Sequence, residues 1–288
     1  MVQGIVEEHM PQGAVGGTLV CLPGVNSGAY LMAGAVQVLG ENWRILRMNP
    51  PGVEGMPLPL PFSARAYARQ VLETLDQRGI KEPIVLLGHS LGGYAAQELV
   101  RMAPERVQKL VLVSTSRGQP DTTMDLSVMQ RKIGMGFWEL QQLISANDPR
   151  GHMPLFGPDF AVREPEVFAM FLELRKAHLP GQAATLSHLS AGGLFTSMSW
   201  IRKISVPTLV MHGNADNLVS VDSGKKLAQA LPNAQWLELY NVGHFPMLEY
   251  ATFWDKVRQF AENGGLGQSI EEKESWVRRM IRGWWMHG

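Results

Sequence analysis

Ile84-Val85-Leu86-Leu87-Gly88-His89-Ser90-Leu91-Gly92-Gly93 is the stretch whose reading decides the fold. Ile84 to Leu87 is an apolar run of the kind a strand buried on both faces needs. After it, Tyr94, Ala95, Leu99 and Met102 recur on a helical period, which Pro104 closes. Strand, sharp turn, helix is the setting in which Gly-x-Ser-x-Gly has meaning: Ser90 sits at the tip of a strained turn with its hydroxyl exposed. Gly88 and Gly92 suit a place where two backbones pass too closely for a Cβ. The same residues also fit a glycine-rich turn that binds nothing, or one that holds a phosphate at the helix N-terminus. The choice rests on whether the chain supplies a base and an acid at later strand ends.

Outward from this stretch the pattern alternates. Gly4 to His9 reads as a short edge strand and Thr18 to Leu22 as the first firm strand. The turn-rich Pro23-Gly24-Val25-Asn26-Ser27-Gly28 follows, then a helix over Ala29 to Leu39. Trp43 to Met48 is a strand that runs into the breaker-rich loop 49–55. Ser63 is the expected N-cap of a helix that reaches Arg78 and stops at Gly79. Later strands are expected at Lys109–Ser114, Thr208–His212 and Gln235–Tyr240, with helices near Ser223–Leu231 and Thr252–Glu262. Strands alternating with helices imply a mostly parallel sheet flanked by helices on both faces, an α/β fold.

Between Ser114 and Thr208 the alternation breaks. The segment carries no strong strand, is helical in pattern, and is rich in Met, Leu and Phe. It reads as a helical insertion over residues 116–201, a cap folded over a core made of 1–115 and 202–263. Most of its apolar residues should form the cap's own small core. A subset, methionines included, is expected to line a pocket, with Phe137, Trp138 and Phe171 as candidates. Its cations include Arg131, Lys132, Arg150, Arg163, Arg175 and Lys176. They are read mainly as solvent-facing charges, although one turned inward would bind a carboxylate or a phosphopantetheine-linked partner.

Composition narrows the function. The 288 residues carry a formal net charge of zero, which gives no electrostatic case for nucleic acid. The single cysteine, Cys21, allows neither an intramolecular disulfide nor a multi-cysteine metal site, and is expected as a small buried hydrophobe. The first residues lack the basic-then-apolar pattern of a secretory signal, and no apolar run approaches membrane-spanning length. A cytoplasmic protein is the expectation. Residues 264–288 read as a linker, Asn263 to Gly267, followed by an amphipathic helix over Glu271 to Trp285. Its stripe, Trp276, Val277, Met280, Ile281, Trp284 and Trp285, would dock on the core, on a second subunit as a homodimer, or on a membrane surface.

A serine needs a base to become a nucleophile, and the base is usually a histidine held by an acid. Of eight histidines, His9, His152, His178, His188 and His287 are set aside on position, and His89 is expected to point away across the turn. His212 and His244 remain. His244 follows the last strand by a short loop, where an imidazole can hang over the site; His212 ends a strand itself and is the more structural of the two. Asp216 is well placed as the acid. Asp222 is the weaker candidate, expected as a helix cap.

Ser90, Asp216, His244 is the chain order of the α/β-hydrolase triad. On Gly88-His-Ser-Leu-Gly-Gly93, Gly213-Asn-Ala-Asp216, Gly243-His244 and Glu249, the chain resembles α/β-hydrolase-fold enzymes of the esterase, lipase and thioesterase type with a cap domain. The similarity spans about residues 18–115 and 205–262. The resemblance implies an oxyanion hole from the backbone N–H groups of Val25 and Leu91. Pro23-Gly24-Val25 departs from the usual His-Gly-x of the family, but Val25 keeps the donor that matters, and Asn26 or Ser27 would add contacts. Asn26 and Phe245 join the substrate-binding candidates. The implied reaction is hydrolysis of a carboxylic ester, with a hydrophobic acyl group, through an acyl-enzyme on Ser90, without cofactor or metal. A thioesterase or acyltransferase would use the same acyl-enzyme, and a hydrolase-like ligand-binding protein would use none.

Overall fold

The computed structural model describes residues 6–13, 15–121, 130, 133–266, 277, 278 and 281. Seven strands form one sheet: β1 Val6–His9, β2 Thr18–Leu22, β3 Arg44–Met48, β4 Ile84–His89, β5 Val107–Val113, β6 Thr208–Gly213 and β7 Ala234–Leu239. They lie in the order β1-β3-β2-β4-β5-β6-β7. Only β1 runs antiparallel, paired to β3; the other neighbours are parallel. Of the expected first strand, Val6 to His9 is seen, and residues 4 and 5 lie outside the described set.

The central strands β2, β4, β5 and β6 bury side chains on both faces, which alternate between two cores, whereas the edge strands β1 and β7 are mostly half-buried. Leu19, Cys21, Val85, Leu87, Val111, Val113, Leu209 and Met211 face one side, with α1 (Ala33–Leu39) and α11 (Phe253–Asn263) packed over them. Val20, Leu22, Leu86, Leu110, Leu112 and Val210 face the other, under α2 (Ala64–Gln77), α3 (Leu91–Met102) and α9 (Val221–Ala230). Cys21 is fully buried, and burial pushes its thiol up to about 12.

The caps explain where helices begin. Ser63 Oγ accepts from Ala66 N–H, and Gly79 turns the chain out at φ +67°. At α9 the cap is Ser220, whose Oγ accepts from Ser223 N–H. The helix therefore starts two residues earlier than expected, and Asp222 sits in its first turn rather than capping it.

After β5 the chain leaves the sheet and forms α4 (Phe137–Ser145), α5 (Pro149–His152), α6 (Phe160–Arg163), α7 (Pro165–Ala177) and α8 (Gln182–Leu194) before β6. The two ends of this excursion are tied together. Gly118 bridges Thr196, Gln119 N–H donates to Phe195 O at 2.8 Å, and Ser197 N–H donates to Arg117 O at 2.8 Å. α10 (Pro246–Glu249) follows β7. Of the tail stripe, Val277 and Ile281 are buried in the core cluster under α11; Trp276, Met280, Trp284 and Trp285 lie outside the described residues.

Candidate active site

Ser90 occupies the turn between β4 and α3 with φ 53° and ψ −119°. A non-glycine residue there costs about 1–3 kcal/mol and persists only where its surroundings over-determine it. They do so here. Ser90 N–H donates to Val113 O at 3.0 Å, and Ser90 O accepts from Gly93 N–H at 2.9 Å and Thr115 Oγ1 at 2.9 Å. The glycines are required by contact distance. A Cβ on Gly92 would lie 2.1 Å from Leu22 O, and one on Gly88 2.5 Å from Gly92 O. Leu91 is the first helical residue, so its N–H has no intrahelical acceptor and is free for a ligand.

Asp216 lies beyond the end of β6 and is 4% exposed. Its Oδ1 accepts from Leu218 N–H at 2.8 Å and Val219 N–H at 3.0 Å. Its Oδ2 meets His244 Nδ1 at 2.7 Å. Burial, the largest single influence, pushes this carboxyl up, but His244 and His212 together pull it well below the usual carboxylate range. Asp216 is thus ionised, and an ionised carboxylate fixes the proton of a neutral imidazole on Nδ1, leaving Nε2 as a hydrogen-bond acceptor. His212 is fully buried, its Nε2 2.9 Å from Val219 O and 3.4 Å from Asp216 Oδ2. It does not line the cavity at Ser90.

That cavity has a volume of about 160 Å³ and is bordered by Ser90, His244, Val25 and Leu91. Asn26, Phe137, Phe171 and Phe245 also line it. Trp138 does not. It is 70% exposed and stands edge-on to Phe137. Adjacent residues on a helix point about 100° apart, so turning Phe137 inward turns Trp138 out. None of the cavity's wall is methionine among the described residues; Met124 and Met129 lie outside them.

The wall also holds residues that the sequence does not mark out for the site. His89 turns toward the site rather than away: its ring centroid lies 4.8 Å from that of His244, and its Nε2 donates to His244 O at 2.8 Å. Burial, with the neighbouring imidazoles, drops His89 to about 3, so it stays neutral. His152 and His188 also line the cavity, and burial lowers both. Among the described residues of those six cations, Arg175 turns inward, 3% exposed at the cavity wall. Arg150 and Arg163 are exposed, and Arg131 and Lys132 lie outside the described residues. Helical periodicity alone could not reveal these roles, because the inward face of a cap depends on how it docks.

The loop bearing His244 is stitched to the helical segment between β5 and β6. His244 N–H donates to Leu155 O at 2.7 Å. Glu249 accepts from Gly157 N–H at 2.7 Å and from Gly243 N–H at 3.0 Å. Phe156 packs on Phe245 and Phe171, with centroids 5.3 and 5.2 Å away. Among the described residues no cluster of three or more His, Cys, Asp or Glu is arranged to hold a metal, and no helix is long and apolar enough to cross a membrane.

An elbow serine, a buried carboxylate–imidazole pair and a largely apolar cavity thus meet at strand ends of a covered, mostly parallel sheet. The chain belongs to the alpha/beta hydrolase fold family, which matches residues 17–251. It is 27% identical over 238 residues to a poly(3-hydroxyalkanoate) depolymerase of Ectopseudomonas oleovorans, covering 81% of this chain and 80% of the relative. It is 27% identical over 241 residues to a 2-hydroxy-6-oxononadienedioate/2-hydroxy-6-oxononatrienedioate hydrolase of Cupriavidus pinatubonensis, covering 82% and 81%. Its fold matches the crystal structure of the enol-lactonase from Burkholderia xenovorans LB400 with a TM-score of 0.73 at 23% identity, covering 88% and 95%. The chain is a hydrolase of this fold.

Proposed function

We propose that the protein is a serine hydrolase that cleaves a carboxylic ester with a hydrophobic acyl group through an acyl-enzyme on Ser90. The observation that carries this reading is the buried 2.7 Å contact between His244 Nδ1 and Asp216 Oδ2, beside the cavity into which the elbow serine opens. His244 Nε2 takes the Ser90 proton as Oγ attacks the acyl carbonyl. Asp216 holds the tautomer and stabilises the imidazolium. Val25 and Leu91 N–H groups receive the oxyanion; losing one such donor typically costs about 100- to 1000-fold in rate. His244 then protonates the leaving alcohol, and water, deprotonated by His244, releases the acid. The aromatic wall of Phe137, Phe171 and Phe245 favours an apolar acyl group.

The test is hydrolysis of p-nitrophenyl esters from acetyl to palmitoyl by wild type and Ser90→Ala. Ser90→Ala is expected to fold normally and lose nearly all turnover. Equal turnover in the two proteins rules the proposal out. A folded protein inert to every ester but labelled at Ser90 by a fluorophosphonate moves the reading to a thioesterase or an acyltransferase.

A further inference from the structure

The cap holds more than the acyl pocket. It reaches across the cavity to the loop that carries Val25, and it does so through two side chains from different helices. Asn26, the residue after Val25, is buried and adopts φ +53°, a left-handed conformation that the chain does not favour unaided. Arg175, near the C-terminal end of α7, donates from Nη1 to the backbone oxygen of Asn26. Thr185, in the first turn of α8, donates from Oγ1 to Asn26 Oδ1 at 2.8 Å. Both polar ends of Asn26 that point to the cap are therefore held by it.

Arg175 is itself braced. Its Nη2 donates to Ile144 O at 3.1 Å, one of the last carbonyls of α4, and its Nε donates to His152 Nε2 at 3.3 Å. His152 can accept because burial, with the guanidinium beside it, keeps it neutral. One planar fork thus joins α4, α5, α7 and the Asn26 backbone, with three acceptors around it in fixed geometry. Within the loop Ser27 Oγ donates to Val25 O at 3.2 Å, and at its end Ala29 N–H donates to Asn49 Oδ1 at 2.7 Å.

We propose that Arg175 and Thr185 are positioning residues that latch the cap onto Asn26, Arg175 through the backbone oxygen and Thr185 through the side-chain oxygen, and so set the orientation of the Val25 N–H. This rests on the reading of Val25 as an oxyanion donor. The latch couples cap seating to catalytic competence: where the cap is not docked, Asn26 loses its restraints and the donor one residue before it loses its aim. Arg175 does not touch the reacting atoms. Its effect is on the transition state, where the oxygen carries charge, rather than on binding of the neutral ester.

The test compares wild type, Arg175→Gln and Thr185→Val on a p-nitrophenyl ester, with the alkylboronic acid of matching chain length as a probe that places an oxygen in the hole. Arg175→Gln is expected to lower kcat by about 10- to 100-fold, the scale of a misplaced catalytic group. Thr185→Val is expected to lower it by about fivefold, the scale of one neutral hydrogen bond. In both, KM stays within about twofold, boronate inhibition weakens in parallel with kcat, and the pH midpoint of kcat does not move because His244 and Asp216 are untouched. A role in packing alone would lower the melting temperature without the parallel loss of boronate affinity. If Arg175→Gln fails to fold, Thr185→Val decides. Folded variants with wild-type kcat, or with the change confined to KM, overturn the latch. A wild type inert to fluorophosphonate overturns the hydrolase reading instead, whereas a reactive wild type with equally reactive variants overturns the latch alone.

Discussion

Asp216→Asn isolates the role of the acid without changing its shape. Asp216 uses its two oxygens differently: Oδ1 takes the N–H groups of Leu218 and Val219, and Oδ2 faces His244 Nδ1 at 2.7 Å. An asparagine can keep its carbonyl on the two backbone donors. Its NH2 must then face His244, whose Nδ1 can only accept, so the imidazole proton moves to Nε2. That tautomer cannot take a proton from Ser90. The loop keeps its two hydrogen bonds, and the charge-assisted contact is lost, so the cost in stability is about 1–3 kcal/mol. The cost in turnover is far larger, about 1000- to 10,000-fold. The assay is kcat on the best p-nitrophenyl ester beside the rate of fluorophosphonate labelling, with urea titrations to verify folding. Asp222→Asn is the control, because Asp222 lies in the first turn of α9 and should leave kcat within about twofold. A folded Asp216→Asn within tenfold of wild type, or an equal loss in Asp222→Asn, refutes the assignment of the acid.

Two further predictions concern stability. Burial, the largest influence, with a smaller push from Asp216, raises Glu249 from 4.5 to about 7 against the pull of the Gly157, Gly243 and Phe245 N–H groups. Between those values the folded protein keeps a proton that the unfolded chain has released, so stability falls as pH rises through this window, by about 3 kcal/mol. Glu249→Gln should remove that component, read as a smaller loss of unfolding free energy from pH 5 to pH 8; equal losses in the two proteins would contradict it. Gly92→Ala places a Cβ 2.1 Å from Leu22 O, backbone that cannot yield without displacing the central strands. It should cost more than about 4 kcal/mol and lower the melting temperature by roughly 10 °C, while Gly193→Ala, where a Cβ meets nothing within 4 Å, should not destabilise. Similar melting temperatures for the two would refute the close-approach account.

The sheet was legible because its central strands are buried on both faces and read as apolar runs. Ile84–His89 and Thr208–Gly213 fall within a residue or so of their expected bounds. The elbow was legible for the same reason, since a motif between a strand and a helix has one geometry available. Capping was legible at Ser63, where serine immediately precedes the helical period. It was misread near Asp222, where Ser220 and Asp222 are both competent caps and only the chain's path chooses Ser220.

The cap shows the opposite case. Phe137 and Trp138 are equally apolar neighbours, and only docking decides that one lines the cavity and the other meets solvent. Arg175 is one cation among several in the sequence, and its burial against Asn26 depends on α7 crossing the loop after β2, 149 residues away in the chain. From its place beside the serine His89 should point away across the turn; it turns inward because the carbonyl of His244, 155 residues further along the chain, gives its ring a partner at 2.8 Å.

What the sequence determined by itself are the features written in local chemistry: a buried parallel sheet from apolar runs, a strained serine from glycines at fixed offsets, and an acid and a histidine at later strand ends. The tertiary structure decided what long-range contact writes: which aromatic faces the cavity, which histidines stay neutral, and which arginine grips the Asn26 backbone. Periodicity fixes the direction of a side chain relative to its own helix, but not the direction of that helix relative to the site.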